Sequence, residues 1–271
     1  MSAPHPVNDI LPHAALLGLE QRVLARWRGA PALAAARLVV GFSGGTDSLA
    51  LALALRRIAG RAELDIVLAH IDHRQRPTSG EEAARARSLA REIGLPFFAR
   101  HIPEDAVERH RGVGREEAMR RERYRALAAI AREHGAGALA LAHQADDQAE
   151  TVLLHLLRGA GLSGAAAMAE WSERPIPWWS AADEPAIAVM LWRPLLAERR
   201  ATLRAYLAGA GLEPIEDPSN GDLAFRRNAI RRDLLPALQR IAPGASEALA
   251  RHAAIAAEED ATLTMLAAGV R

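Results

Sequence analysis

The chain has 271 residues and a formal net charge of +1. Its 34 basic residues are all Arg, set against 33 acidic ones, and it has no Lys and no Cys. These absences exclude a Walker A phosphate loop, Schiff-base catalysis, disulfides, Cys-ligated metal centres and thiol nucleophiles.

Half of the residues are apolar and a quarter charged, the balance of a globular protein with one large domain and room for an extension. Residues 1–36 are Ala/Leu-rich and read as helical, without the basic segment and apolar core of a signal peptide. Arg37 to Phe42 reads as a buried strand closing on a glycine turn, and Leu49 to Ile58 as the helix that follows. The apolar run Leu49 to Leu55 is too short to cross a bilayer, so a cytoplasmic protein with no membrane partner is expected. Strands at Leu64–Ile71, Pro96–Ile102 and Ala138–Ala142 alternate with helices at Glu81–Ile93, Arg115–His134 and Asp146–Leu157. This alternation predicts an α/β fold, a parallel sheet flanked by helices. Glu173 to Glu184 reads as a Pro-punctuated loop, and Val189 to Leu196 as an edge strand, since Pro194 cannot donate to a central ladder. A helix over Glu198–Ala210 follows, then a loop over Ile215–Asp222. Phe225 to Gln239 reads as a basic helix broken near Pro236, and Ser246 to Ala268 as a last Ala-rich helix. The expected divisions are an N-terminal helical segment (1–36), a nucleotide-binding α/β domain (37–215) and a small C-terminal helical extension (216–271).

Ser43-Gly44-Gly45-Thr46-Asp47-Ser48 joins the first strand to the first helix of that domain. Two glycines permit a tight turn and close approach of a ligand. The helix N-terminus attracts phosphate, and Ser43, Thr46 and Ser48 add hydroxyl donors. A carboxylate is out of place in a pure anion site, so Asp47 is read as a ligand of a magnesium ion that accompanies the phosphates.

Four further strings carry polar chemistry. His70-Ile71-Asp72-His73 ends the second strand and reads as a loop contacting nucleotide or RNA. The long helix carries Met119 to Tyr124, within a stretch (Val107 to Arg125) holding seven Arg against four Glu. His143 to Thr151 opens another helix. There Asp146 and Glu150 share one face and Asp147 and Thr151 the next; Arg158 follows in a glycine-rich turn. Finally, Asp217 to Arg231 places Arg227 and Arg231 on one helix face as guanidinium forks suited to phosphate. Trp178 and Trp179 are candidates for stacking on an unpaired base.

The Ser43–Ser48 string resembles the SGGxDS signature of the PP-loop ATP pyrophosphatases, which bind ATP without a loop Lys. With His70–His73, Met119–Tyr124, His143–Thr151, Arg158–Gly161 and Asp217–Arg231, the chain looks like the tRNA(Ile)-lysidine synthases within that superfamily. The match runs from about Arg37 to Arg232. It departs at Met119 (usually Ala), Arg74-Gln75 (usually Gly-Leu) and Ala160 (commonly Ser), and none of these removes a reactive group.

The resemblance implies ATP and magnesium as cofactors. It implies free L-lysine and the CAU-anticodon isoleucine tRNA as substrates, and a homodimer. Lysine would be joined to C2 of the wobble cytidine through an adenylated intermediate, releasing pyrophosphate and AMP. The phosphates would lie on Ser43, Gly44, Gly45, Thr46, Asp47 and Ser48, and Asp47 would hold the metal. Asp146, Asp147 and His143 would serve as acid or base, and Arg120, Arg123, Arg158, Arg227 and Arg231 would grip substrate or tRNA. The alternatives are another PP-loop tRNA-modifying or amidating enzyme, or a non-catalytic RNA-binding module. Zero Cys argues against a thiolase that uses persulfide or an iron–sulfur cluster.

Overall fold

The computed structural model describes residues 17–30, 37–72, 79–175, 188–215 and 226–269. The expectations placed on His73, Arg74, Gln75, Trp178, Trp179 and 217–225 lie outside the described residues. Two compact units emerge. The first comprises Met1–Leu141, Trp171–Trp192 and Tyr206–Ile215; the second comprises Ala142–Glu170, Arg193–Ala205 and Glu216–Arg271.

The first unit holds a six-stranded sheet: β1 (Arg37–Gly41), β2 (Asp65–Asp72), β3 (Phe97–His101), β4 (Ala138–Ala140), β5 (Trp171–Pro175) and β6 (Ala188–Trp192). The order is β3-β2-β1-β4-β6-β5. All pairings are parallel except β5 with β6. The parallel α/β expectation is met, with one antiparallel addition. After β3 the chain crosses back to pair β4 with the other side of β1. The crossing creates a switch point at the carboxyl end of β1, where ligands of such sheets bind.

The inner strands β1, β2, β4 and β6 are largely apolar because both of their faces are covered. Val39, Val67, Ala69, Leu139 and Leu191 pack with Tyr124, Leu127 and Ile130 of α5 (Arg115–Glu133). The pleat sends Leu38, Val40 and Leu68 to the opposite face. That face is covered by α2 (Thr46–Ala62), which contacts β1 and β2 and also α1 (Gly18–Arg28). With sheet on one side and helix on the other, α2 has no solvent stripe in its middle: every residue from Leu49 to Leu55 is buried. A buried cluster fastens α1. Glu20 accepts from Arg57 Nη1 (2.9 Å) and from the Tyr206 hydroxyl (2.7 Å), and burial pushes the Tyr206 phenol well above its ordinary value. Helix α3 (Ser79–Glu92) lies against β2 and β3, and the short α4 (Ala106–Arg109) packs on α5.

Two expectations for this unit are corrected. Trp171–Pro175 is a strand, not the beginning of a loop, and it forms the sheet edge where Pro175 is tolerated. Strand β6 is internal rather than an edge strand, because it ends at Trp192, before Pro194 can interrupt a ladder. The edge is sealed by indoles instead: Trp171 stacks on Trp192 at 5.1 Å and 13°, and Trp27 lies 5.2 Å from Trp192.

The second unit is helical, with α6 (Ala145–Leu156), α7 (Leu162–Ala165) and α11 (Ala245–Gly269) packed together. The basic stretch does not break at Pro236. It runs as α9 (Arg226–Ala229), a π-helical turn over Ile230–Leu234 and α10 (Leu235–Ile241). A proline ring collides with the carbonyl four residues back. The wider turn, in which Leu235 N–H reaches the Ile230 carbonyl, absorbs that collision without ending the helix. Helix α8 (Arg200–Gly209) begins in the second unit and ends in the first, before Gly211, whose φ is +71°.

Candidate active site

In the first unit, Ser43–Ser48 leaves β1 and enters α2 as a small ring of hydrogen bonds. The Ser48 hydroxyl donates to the Gly45 carbonyl (3.1 Å), which uses its only proton. Ser43 Oγ therefore donates to Ser48 Oγ (3.0 Å), and the Ser43 N–H points to the same oxygen (3.2 Å). Gly45 N–H in turn donates to Ser43 Oγ (3.3 Å). Gly45 is the N-cap of α2, so no side chain there closes the helix end, and its first-turn N–H groups form the positive end of the helix dipole.

Gly44 adopts φ +80°, a left-handed conformation that a side chain strains. A Cβ there would also come within 2.5 Å of Ile215 Cδ1. Ile215 braces the loop from outside, its N–H donating to the Gly44 carbonyl at 2.9 Å. Asp47 sits in the first turn of α2, beside the hydroxyls of Thr46 and Ser48 in sequence. Carboxylate and hydroxyl oxygens are hard donors that suit magnesium.

Elsewhere in this unit, Arg120 and Arg123 lie on α5 over the ring of Tyr124, at 5.4 and 5.6 Å from its centroid. At the carboxyl ends of β2 and β3, buried Asp72 pairs with the half-exposed His101 at 3.1 Å.

In the second unit, Gln144 caps α6. Its Oε1 accepts from Asp146 N–H (2.8 Å), and its own N–H donates to Asp147 Oδ2 (3.0 Å). Glu150, one turn on from Asp147, is fully buried. Arg231 gives it Nε (2.5 Å) and Nη2 (3.1 Å), and Arg227 gives it Nε (2.9 Å). Arg231 Nη2 also donates to Asp147 Oδ1 at 2.9 Å. Burial alone would raise the Asp147 carboxyl. The neighbouring His143, Arg227, the Gln144 N–H and Arg231 outweigh it and hold the group below its ordinary value. A carboxylate stabilised in this way is a weak base. Opposite this face, Gln148 pairs with the Met168 backbone through both amide atoms (2.8 and 3.1 Å). Arg158 and Asp233 flank an open cavity of about 320 Å³ walled by Leu154, Leu157, Ile230 and Leu234.

The comparisons with known proteins fit this geometry. Residues 20–238 match the model of the PP-loop domain family. A tRNA(Ile)-lysidine synthase of Geobacter sulfurreducens is 40% identical over 231 residues, covering 85% of this chain and 46% of that protein. One from Bordetella parapertussis is 39% identical over 263 residues, covering 95% of this chain and 70% of that protein. The chain belongs to the tRNA(Ile)-lysidine synthase family of PP-loop proteins.

The matched region spans 46% of the length of the Geobacter relative. A U34-tRNA thiolase, NcsA, from Methanococcus maripaludis, solved with its 4Fe–4S cluster, shares the fold. Its TM-score is 0.67 at 15% identity, covering 87% of this chain and 77% of that one. The likeness is one of fold alone, and this chain has no Cys for such a cluster.

Of the residues singled out for chemistry, Ser43, Gly44, Gly45, Thr46, Asp47 and Ser48 form one loop of the first unit, and Arg120 and Arg123 stand on its helix α5. His143, Asp147, Arg227 and Arg231 gather in the second unit, while Asp146 stands beside them in the first turn of α6 on the Gln144 cap. Three contributors escaped the sequence reading. Gln144 is not a favoured capping residue, and nothing marked Ile215. Glu150 was noted only as sharing a face with Asp146. Its signal was the pairing of two patterns, acids at 147 and 150 and arginines at 227 and 231, each spaced to lie on one helix face.

Proposed function

We propose that the chain catalyses ATP-dependent ligation of L-lysine to C2 of the wobble cytidine in the CAU-anticodon isoleucine tRNA. The observation that carries this reading is the ring-closed Ser43–Ser48 loop in a chain about 40% identical to tRNA(Ile)-lysidine synthases. An anticodon base is already unpaired, so its C2 oxygen is accessible. That oxygen attacks the α-phosphorus of ATP, and pyrophosphate leaves. The lysine ε-amine, after losing a proton, then adds to C2, and AMP departs with the former C2 oxygen.

In this proposal the Ser43–Ser48 loop cradles the leaving pyrophosphate at the N-terminus of α2: Gly44 and Gly45 allow close approach, Thr46 adds a hydroxyl, and the Ser43–Ser48 ring holds the loop in shape. Asp47, with the flanking hydroxyls, would hold a magnesium ion, which when bound offsets charge on the phosphates. His143 and Asp146 are placed as bases for the ε-ammonium. Asp147 is placed in orientation instead, because its carboxylate is held ionised by cations. Arg120, Arg123 and Arg158 would receive phosphates or the lysine carboxylate. Arg227 and Arg231, with side chains 31% and 30% exposed, would hold the arginine helix in place and offer their outer edges to tRNA phosphate. The proposal extends to a cytoplasmic reaction, in keeping with free lysine and tRNA as substrates, and, by the family resemblance, to a homodimer.

The deciding experiment is incorporation of labelled lysine into the CAU isoleucine tRNA with ATP, with methionine tRNA of the same anticodon as control. Lysine transfer to the isoleucine tRNA alone supports the reading. Pyrophosphate release without lysine transfer would favour another PP-loop activity, and no ATP turnover would favour a binding module.

A further inference from the structure

We propose that His70 is a positioning residue for nucleotide binding: by donating from Nδ1 to the Phe42 carbonyl it fixes the entry to the Ser43–Ser48 loop. The inference rests on reading that loop as the ATP site.

Strand β1 ends at Gly41, paired with Ala69. Phe42 lies beyond the strand yet is held at both polar atoms. Its N–H donates to the Ala69 carbonyl at 2.8 Å, and its carbonyl accepts from His70 Nδ1 at 2.9 Å. The next residue, Ser43, begins the hydroxyl ring. The pair of bonds to Phe42 is thus the last grip of the sheet before the backbone turns toward the ligand.

A carbonyl can only accept, so the proton of the neutral ring sits on Nδ1. Burial favours that neutral form and lowers the His70 pKa, opposed by the Phe42 carbonyl and by Asp72 and Glu82, while His101 adds to the lowering. The facing groups are thus Asp72 on β2, Glu82 on α3 and His101 on β3. Arg87, also on α3, lies 4.9 Å over the ring of Phe97. The buried imidazole is packed against an aromatic pair. It stacks on Phe97 at 5.9 Å and 28°, and Phe97 in turn meets Phe42 edge-on at 6.4 Å and 87°. His70 and Phe42 are both buried, so loss of the donor strands a carbonyl at the mouth of the loop.

Three variants separate positioning from bulk stability. The Asn amide nitrogen lies one bond beyond Cγ, as Nδ1 does, whereas the Gln amide nitrogen lies where Nε2 would be. His70→Ala and His70→Gln are expected to weaken ATP binding, measured by titration calorimetry, about five- to tenfold. His70→Asn is expected to restore the Kd to within about twofold of the parent, and KM for ATP in pyrophosphate release should move more than kcat. If His70→Ala binds ATP like the parent, or if Asn and Gln bind alike, the proposal is overturned. Should the Ala variant fail to fold, the Asn–Gln comparison decides in the same way. Failure of the parent protein itself to bind ATP would instead overturn the nucleotide reading of the loop, and the positioning role with it.

Discussion

The Ser43–Ser48 loop is closed by neutral hydroxyl and backbone bonds between residues two to five apart. The Asp147–Glu150 face of α6 is closed by charged bonds to residues 77 to 84 positions away. The first arrangement is local and leaves its helix end open for an anion. The second neutralises a fully buried carboxylate, which would be costly alone, and in doing so fixes where the arginine helix lies. A short polar loop can therefore be read from its own residues, whereas a charged face cannot be understood without its distant partners.

Four tests probe that contrast, from the largest expected effect to the smallest. Asp47→Ala removes the one carboxylate of the loop. Pyrophosphate release should fall by at least about a hundredfold, with an unchanged thermal melt; retained release would sink the assigned role. Glu150→Gln leaves two guanidinium groups facing a neutral amide. The expected loss is about 3 kcal/mol in urea unfolding, the low end for a broken buried pair because both arginines keep partial solvent contact.

Gly44→Ala combines left-handed strain with a collision at Ile215, for a loss of about 2 kcal/mol. Adding Ile215→Val removes the colliding Cδ1 and should recover only the packing part, so stability returned fully to the parent value would mean the φ of +80° carries no strain. The smallest effect is one of pH. The Asp147 carboxyl lies below its ordinary value of 3.8 in the folded protein. Its contribution is therefore complete above that value and lost as pH falls through the lower folded one. Asp147→Asn should flatten this acid limb of the stability profile, and an unaltered limb would show that other carboxylates produce it.

Much of the sheet was legible because a strand buried on both faces must be apolar throughout, as Leu38–Val40 and Ile66–Ala69 are. The loop was legible because glycines, hydroxyls and a helix start stand together in six residues. Strand β5 was not, since Pro175 resembles loop punctuation until its place at a sheet edge is known. Nor was the π-helical turn before Pro236, where tertiary packing holds together a helix that local rules would break. The arginines at 227 and 231 looked like free phosphate forks; only the fold shows them engaged by Glu150 and Asp147.

By itself the sequence determined the α/β class, the position of the Ser43–Ser48 loop and the exclusion of Lys- and Cys-based chemistry. These depend on residue type and short spacing, which the chain carries locally. The tertiary structure decided the edge of the sheet, the partner of Glu150, the brace of Ile215 on Gly44 and the grip of His70 on Phe42. Each of these is a contact between residues far apart in the chain, and its energy exists only once both partners are buried side by side.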